Sequence, residues 1–85
     1  MVGMLATSKA GHDKNHVYMI LRENDEYVWL ADGKLRTADN CKKKNIKHIQ
    51  IIKKCNHEEI QSMINNHSIT DEIIKKYIKL YCNSK

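Results

Sequence analysis

Two five-residue runs that are apolar at every position constrain this fold more than any other feature of the chain. They occupy residues 17–21 and 27–31, and both are rich in aromatic and β-branched side chains. Such composition predicts β-strands, whose side chains alternate between the two faces of a sheet. Each strand is therefore apolar on both faces. One face must fill a core, while the other needs a cover or is a contact surface.

Short candidate strands joined by polar turns fill the first part of the chain. They are predicted at residues 4–8, 17–21, 27–31, 35–37 and 44–52. Asn24 and Asp25 predict a tight turn, because both tolerate positive φ better than most residues. Asp32-Gly33 predicts a two-residue hairpin, because Gly33 adopts the left-handed conformation without a Cβ clash. Four or five short strands this close together predict a small, strongly bent β-barrel.

Two amphipathic helices are predicted in residues 55–85, after a barrel at residues 1–54. Asn56 and Glu59 form a capping-box-like start for the first helix, and residues 65–68 break it. Thr70 caps the second helix, whose first turn carries acidic residues that favour the positive end of the helix dipole. The apolar stripes comprise Ile60, Met63, Ile64, Ile73, Ile74, Tyr77, Ile78 and Tyr81. We expect the helices to pack on the barrel as one structural unit or, as the alternative, to cover a partner.

The positive charge is concentrated in the strand-rich part of the chain. The formal net charge is +5 and the pI is about 9.2. Residues 1–54 hold eleven Lys and Arg against six Asp and Glu, whereas residues 55–85 hold four of each class. This excess favours a polyanionic partner, such as nucleic acid or an anionic membrane surface. A solvated, lysine-rich edge strand is the alternative interpretation.

Length and cysteine content exclude several classes of protein. A chain of 85 residues forms one small domain and has no room for a separate cofactor-binding fold. No apolar run approaches the roughly 18 residues of a transmembrane helix, and the first residues lack a secretory pattern. Cys41, Cys55 and Cys82 form an odd set without a CxxC motif, which favours free or packed thiols. We therefore expect a cytoplasmic protein with no membrane partner.

No group of residues predicts catalysis or a metal site. The chain has no GxSxG nucleophile elbow, and its three glycines are too scattered for a phosphate-binding loop. His12 and His16 could gather with Cys41 or Cys55 around zinc, but their spacing matches no standard zinc framework. We expect a monomeric binding protein with no enzymatic activity, no metal and no cofactor.

One segment carries a more specific pattern. Residues 8–20 combine an extended strand, a turn containing Gly11-His12-Asp13-Lys14 and an apolar strand. This segment resembles the KOW motif, which occurs in SH3-like barrels of ribosomal proteins and NusG-type transcription factors. With residues 26–36 and 42–49, the pattern covers about residues 4–50 and is similar to short bacterial KOW-domain RNA-binding proteins. These are similar to the eukaryotic and archaeal large-subunit ribosomal protein fourteen, and a helical tail is typical of the bacterial group.

The resemblance implies an SH3-like barrel whose loops are held rigid while basic residues contact RNA. Asn15 stands where the family pattern usually has a second glycine, and asparagine is the best substitute for a left-handed backbone. His12 stands where the family frequently has arginine, which removes a permanent charge from the loop. The predicted structural residues of the loops are Gly11, Asp13, Asn15 and Gly33. The predicted RNA ligands are Lys9, His12, Lys14, Lys34, Arg36, Lys42, Lys43, Lys44, Lys47 and His48.

These residue types suit contact with a phosphate backbone more than the reading of bases. A lysine is a point charge on a flexible stem. His48 can stack on a base or bond a 2′-hydroxyl, and a packed strand histidine is the equal alternative. Tyr27 and Trp29 can stack on exposed bases, although we expect Trp29 to pack in the core.

The leading functional hypothesis is a non-catalytic, ribosome-associated RNA-binding protein that recognises RNA by backbone charge and shape. Ribosomal RNA is the expected partner, with ribosomal proteins or translation factors as further partners. The alternative is a protein-interaction module that binds a translation or transcription factor, because SH3-like barrels also serve protein contacts. DNA binding is a third, weaker hypothesis.

Overall fold

Five strands form one antiparallel sheet, and two helices follow it in the chain. The computed structural model describes residues 2–9, 16–52 and 58–83. The elements are β1 (Leu5–Ser8), β2 (Val17–Glu23), β3 (Tyr27–Ala31), β4 (Lys42–Asn45), β5 (Ile49–Ile52), α1 (Glu58–Asn65) and α2 (Asp71–Asn83), with a 3₁₀ helix at Ile46–His48. The predicted mainly β fold with two C-terminal helices is confirmed. The predicted boundary at residues 54–55 and the predicted cap Asn56 lie outside the described residues.

The sheet is curled but open. Its strand order is β4-β3-β2-β1-β5, every neighbouring pair is antiparallel, and β4 and β5 are the edges. Lys44 Nζ on β4 donates a hydrogen bond to Ser8 Oγ on β1, although these two strands are not neighbours in the sheet. This contact requires the sheet to bend over one face. The described residues therefore form a β domain compatible with an SH3-like fold, but not a closed barrel.

Both faces of the central strands are buried, as the two apolar runs predict, and each face belongs to a different core. The helix-covered face centres on Leu5, Val17, Met19, Ala31, Ile60 and Ile74. The inner face centres on Ala6, Tyr18, Ile20, Val28, Leu30 and Ile49, with Ile46 and Ile51 packed against them. Sheet residues and the 3₁₀ helix make up this second cluster, so the curl of the sheet itself buries the inner face.

The two helices contact the sheet through the predicted apolar stripes. Ile60 of α1 and Ile74 of α2 are fully buried, and each such side chain contributes about 2–3 kcal/mol relative to an exposed position. Thr70 Oγ1 accepts a hydrogen bond from the Ile73 amide at 3.3 Å, which confirms the predicted cap of α2. Between the helices, His67 has a φ of 56° and the Ser68 amide donates to the Met63 carbonyl, which ends α1 where predicted.

The β2–β3 turn forms where predicted, for a different physical reason. Asn24 Oδ1 accepts hydrogen bonds from the amides of Glu26 at 2.9 Å and Tyr27 at 2.7 Å. Among the described residues, His67 is the only non-glycine with positive φ, so the turn does not depend on a left-handed Asn24 or Asp25. The side chain of Asn24 organises the backbone instead.

The β3–β4 connection is a long loop, residues 32–41, and the predicted strand at 35–37 is wrong. Asp32 Oδ1 accepts hydrogen bonds from the amides of Lys34 at 2.8 Å and Arg36 at 2.9 Å, and the Asp32 amide donates to the Arg36 carbonyl. Gly33 has a φ of 79° inside this compact turn. Asp71 Oδ1 on α2 accepts from the Ala38 amide at 2.7 Å, so the helix holds the loop against the sheet.

The predicted strand at residues 44–52 is interrupted. β4 ends at Asn45, whose Oδ1 accepts a hydrogen bond from the Lys47 amide at 2.9 Å and so caps the 3₁₀ helix. β5 begins only at Ile49 and pairs with β1 instead of β3. The interruption explains the imperfect alternation of this segment, because the chain leaves one edge of the sheet and joins the other.

Candidate functional site

The lysine run of β4 is divided between the two faces of the sheet. Lys42 and Lys44 pair with buried residues of the inner face, whereas Lys43 pairs with Trp29 on the opposite face. This division follows from strand geometry, because successive side chains point to opposite sides. The three lysines that are consecutive in sequence therefore form two sites instead of one patch.

A pocket of about 340 Å³ opens at the edge of the inner face. It is lined by His16, Tyr18, Asp32, Leu35, Arg36 and Lys42, and we call it the inner pocket. The rings of His16 and Tyr18 are in contact, with centroids 4.6 Å apart. Leu35 is 84% exposed, so the outer rim of this pocket is apolar. Three of the six lining residues carry basic side chains, which makes the pocket suited to an anion.

Asp32 is the buried anchor of the inner pocket. Its carboxylate is only 6% exposed and accepts a hydrogen bond from His16 Nε2 at 2.8 Å in addition to the two loop amides. Burial by itself would raise the pKa of Asp32. The hydrogen bonds from the Arg36 and Lys34 amides and from His16 outweigh that effect and hold the pKa below its usual range. Asp32 is therefore an ionised, fully engaged group that positions the loop and His16.

Burial also shifts the pKa values of Tyr18 and Lys42 in the inner pocket. Tyr18 is 4% exposed, and desolvation, followed by the charge of Asp32, raises the pKa of its phenol. Desolvation and the like charge of Lys44 lower the pKa of Lys42. The Lys42 Nζ lies 6.0 Å from the centroid of the Tyr18 ring. The charge of Lys44 therefore disfavours the charged form of Lys42, and a nearby anion would favour it.

The opposite face carries a row of cations and aromatic rings. Arg22, Trp29 and Lys43 are register partners across β2, β3 and β4, and with Tyr27 we call them the aromatic row. Arg22 Cζ lies 5.1 Å from the centroid of the Trp29 ring. Lys43 Nζ lies 5.7 Å from that centroid and 4.3 Å from the centroid of Tyr27. All three distances are within cation–π range.

Trp29 does not pack in the core, and the expectation that it would is wrong. The side chain is partly exposed and belongs to neither buried cluster. It lies on the same face of β3 as Ala31, but beyond the part of that face that the helices cover. Among the predicted RNA ligands that the structure describes, only Lys43 joins Trp29 in this row.

Arg22 is the cation of the aromatic row that sequence reasoning missed. A β-bulge between Ile20 and Arg22 shifts the pairing of β2 with β3, so that Arg22 lies opposite Trp29. Strict alternation would place Arg22 on the other face, because Leu21 already occupies the helix-covered side. The only available signal was a basic residue that ends an apolar strand, which is too common to identify a site.

The β3–β4 loop contributes to a second pocket beside the aromatic row. This pocket has a volume of about 370 Å³ and is lined by Leu21, Arg22, Trp29, Ala38, Asp39, Asn40 and Cys41. The inner pocket takes Asp32, Leu35 and Arg36 from the same loop. One irregular segment therefore builds a wall of both pockets.

The other predicted ligands lie elsewhere on the surface. The Lys9 amide donates to the His48 carbonyl at 2.9 Å, so the end of β1 and the 3₁₀ helix bring these two exposed residues together. Lys47 is exposed on the same 3₁₀ helix, and Lys34 is exposed on the β3–β4 loop. His48 is exposed, and its interpretation as a packed strand histidine is wrong.

The predicted motif loop lies outside the described residues. Its members with predicted roles are Gly11, His12, Asp13, Lys14 and Asn15. The described residues on either side place its two ends at the end of β1 and the start of β2. His16, at the second end, lines the inner pocket.

The described residues offer no assembled metal site. No group of three or more His, Cys, Asp or Glu side chains gathers within residues 2–9, 16–52 and 58–83. Cys41 and Cys82 are free thiols, and burial raises the pKa of Cys41. No helix in this part of the chain is long and apolar enough to cross a membrane.

Comparison with known proteins assigns no family or function to these two pockets. No protein-family model and no curated protein matches the chain.

Proposed function

We propose that this chain is a non-catalytic RNA-binding protein that associates with the ribosome and recognises structured RNA by its backbone charge and shape. The resemblance of residues 4–50 to KOW-domain proteins supports RNA over other polyanions. The inner pocket supplies the contact. The protein acts as a rigid support for cations and contributes no chemical step.

The observation that carries this proposal is that Lys42 lines the inner pocket and Lys44 follows it on the same face of β4, where its Nζ donates a hydrogen bond to Ser8 Oγ. Both lysines are partly buried, and desolvation together with Lys44 lowers the pKa of Lys42. A phosphate oxygen near these ammonium groups offsets their mutual repulsion and replaces the water that burial removes. The pair therefore gains more from a bound anion than two fully solvated lysines would.

The remaining groups of the pocket orient the phosphate. Arg36 presents a planar guanidinium that can donate two parallel hydrogen bonds to one phosphate. Asp32 repels anions, but its carboxylate already accepts three hydrogen bonds within the protein and faces His16. Lys9, Lys47 and His48 extend the basic surface from the end of β1 along the 3₁₀ helix.

The first test is a salt titration with a fluorescein-labelled RNA hairpin, followed by fluorescence anisotropy. If about five phosphates are contacted, the logarithm of the association constant should fall against the logarithm of salt concentration with a slope of about −4 to −5. The double variant Lys42→Gln/Lys44→Gln should bind about tenfold more weakly and reduce that slope by about 2. Binding that does not change between about 50 and 200 mM salt would falsify the proposal.

A matched control removes the same charge from the neutral helical part. Lys76 and Lys79 are exposed on α2, so Lys76→Gln/Lys79→Gln should leave hairpin binding within about twofold of the wild type. Co-sedimentation with ribosomal subunits should follow the same order. If the Lys42→Gln/Lys44→Gln variant still co-sediments at high salt, a protein contact holds the chain on the ribosome and the RNA proposal is wrong.

A further inference from the structure

The aromatic row differs from an ordinary surface cation cluster because a ring lies between the charges. Arg22 and Lys43 are register neighbours of Trp29 on its two sides, and their charged groups lie 5.1 and 5.7 Å from the ring centroid. Tyr27 adds a second ring next to Lys43. A ligand that reaches this surface meets an aromatic ring and two positive charges, and a base stacks on the ring by displacing a weakly bound cation from its face.

The neighbouring pocket combines the Arg22 cation with groups that suit the edge of a base. Asp39 and Asn40 line it together with Trp29, and both side chains are exposed. A carboxylate repels a phosphate, but it accepts hydrogen bonds from the exocyclic amino group of a base, and an amide both donates and accepts. A neutral, planar ring with polar edges fits these groups. The volume of about 370 Å³ is within the range of small-ligand sites.

We propose that the aromatic row binds an unpaired nucleotide of the RNA, with the base stacked on Trp29 and its phosphate held by Arg22 and Lys43. The base edge then meets Asp39 and Asn40 in the pocket. The choice of RNA as the partner rests on the proposed function, but the site is separate from the inner pocket, because it lies on the opposite face of β3 and β4. Structured RNA and an unpaired base are thus bound on two faces of one sheet.

An acidic peptide would satisfy the two cations but not the rest of the site. Its carboxylates would meet Asp39, whereas a base presents amino groups there and a π-face to Trp29. Paired bases in a duplex are stacked on their neighbours and cannot present a free face to Trp29. The site therefore favours single-stranded RNA.

Trp29 is the only tryptophan in the chain, so its fluorescence reports on this site alone. We expect a hexamer of oligocytidylate to quench this fluorescence in a saturable way. An abasic hexamer has the same number of phosphates but no bases. It should produce little quenching even when it occupies the inner pocket to the same extent as oligocytidylate. Equal quenching by both strands would show that charge alone brings RNA to this face and would overturn the inference.

Two variants test the roles of the ring and of the cation. Trp29→Leu should weaken binding of a labelled oligocytidylate hexamer about tenfold, since stacking on one aromatic ring accounts for a factor of that order. Lys43→Gln keeps the reporter and should reduce the salt slope for the hexamer by about 1. Lys43 is exposed, so this variant answers the question even if Trp29→Leu fails to fold.

The Lys42→Gln/Lys44→Gln variant separates this inference from the proposed function. It should lose hairpin binding and still show quenching by the hexamer.

If the wild type binds the hairpin but the hexamer does not quench, the inference fails and the proposed function stands. If the hexamer quenches but neither salt nor the double variant affects hairpin binding, the aromatic row stands and the inner pocket does not bind RNA. Quenching by an oligoglutamate peptide that RNA cannot displace would assign the row to a protein partner and overturn the inference.

Discussion

The inner pocket and the aromatic row lie on opposite faces of the same strands, yet they offer different chemistry. Both contain a lysine of β4, an aromatic ring and residues of the β3–β4 loop. The ring of the inner pocket, Tyr18, is 4% exposed, whereas Trp29 in the aromatic row is partly exposed. Tyr18 is too buried to stack on a ligand, so the inner pocket offers charge, hydrogen bonds, the partly exposed His16 ring and the apolar rim at Leu35.

The two regions also differ in how their charges are held. Asp32 and His16 form a hydrogen bond beside the inner pocket, and the same carboxylate binds two loop amides. In the aromatic row, the cations lie over rings, which bind them weakly enough for a ligand to displace them. One lysine run on an edge strand thus presents two different surfaces, because alternation divides it and burial determines which neighbouring groups each lysine meets.

Displacing the β3–β4 loop, which lines both pockets, should produce the largest loss of stability and binding. Gly33 has a φ of 79°, and a Cβ there would lie 2.5 Å from the Asp71 carbonyl oxygen of α2. Gly33→Ala should therefore lower the free energy of unfolding by at least about 2 kcal/mol and weaken RNA binding at both sites. Urea denaturation measures the stability. Lys34→Ala, an exposed neighbour in the same turn, should change it by less than about 0.5 kcal/mol, and equal losses in the two variants would contradict this view of the loop.

Asp32→Asn should affect the inner pocket most directly, because the Asp32 carboxylate lines that pocket and binds His16. The pKa of Asp32 is lower in the folded state than in the unfolded state. The ionised carboxylate therefore contributes fully to the free energy of unfolding at a pH above the usual pKa of aspartate, and this contribution is lost as the pH falls through the folded-state pKa. The variant should be about 1–2 kcal/mol less stable near pH 7 and should converge with the wild type once the pH falls below the depressed pKa of Asp32. Thermal unfolding across this range measures the difference. A gap between the two proteins that is independent of pH would show that ionised Asp32 does not stabilise the loop.

Single lysine substitutions should separate the two surfaces with the smallest effects. Lys42→Gln should reduce the salt slope for the RNA hairpin by about 1 and leave Trp29 quenching unchanged. Lys43→Gln should reduce the salt slope for the single-stranded hexamer by about 1 and leave hairpin binding unchanged. The two residues are adjacent and carry the same charge, so each variant is the control for the other. Equal effects on both RNAs would indicate one continuous basic surface.

The first three strands, the turn at Asn24 and the cap of α2 follow from local sequence. The apolar runs at 17–21 and 27–31 predict two buried faces, and the two core clusters divide along that alternation. Thr70 and the apolar stripe of α2 are equally local signals. Each depends on contacts between residues a few positions apart, for which sequence spacing is sufficient.

The loop that builds both pockets could not be predicted in this way. Asp32-Gly33 has the composition of a two-residue hairpin, but the Asp32 carboxylate binds the amides of Lys34 and Arg36 and the chain turns away from β3. The loop is then fastened by Asp71, which is 33 positions from its partner Ala38. Turn propensity alone contains no information about that distant acceptor.

The two candidate sites show the same division between local and distant effects. That β4 is basic, and that its lysines alternate in direction, follows from the sequence. The tertiary structure decided which groups each lysine meets. It places Lys42 beside Tyr18 and the buried Asp32, and it places Lys43 over Trp29, which lies opposite Arg22. The physical reason is that periodicity determines the face on which a side chain lies. The bulge in β2, the curl of the sheet and the docking of α2 determine what it meets there.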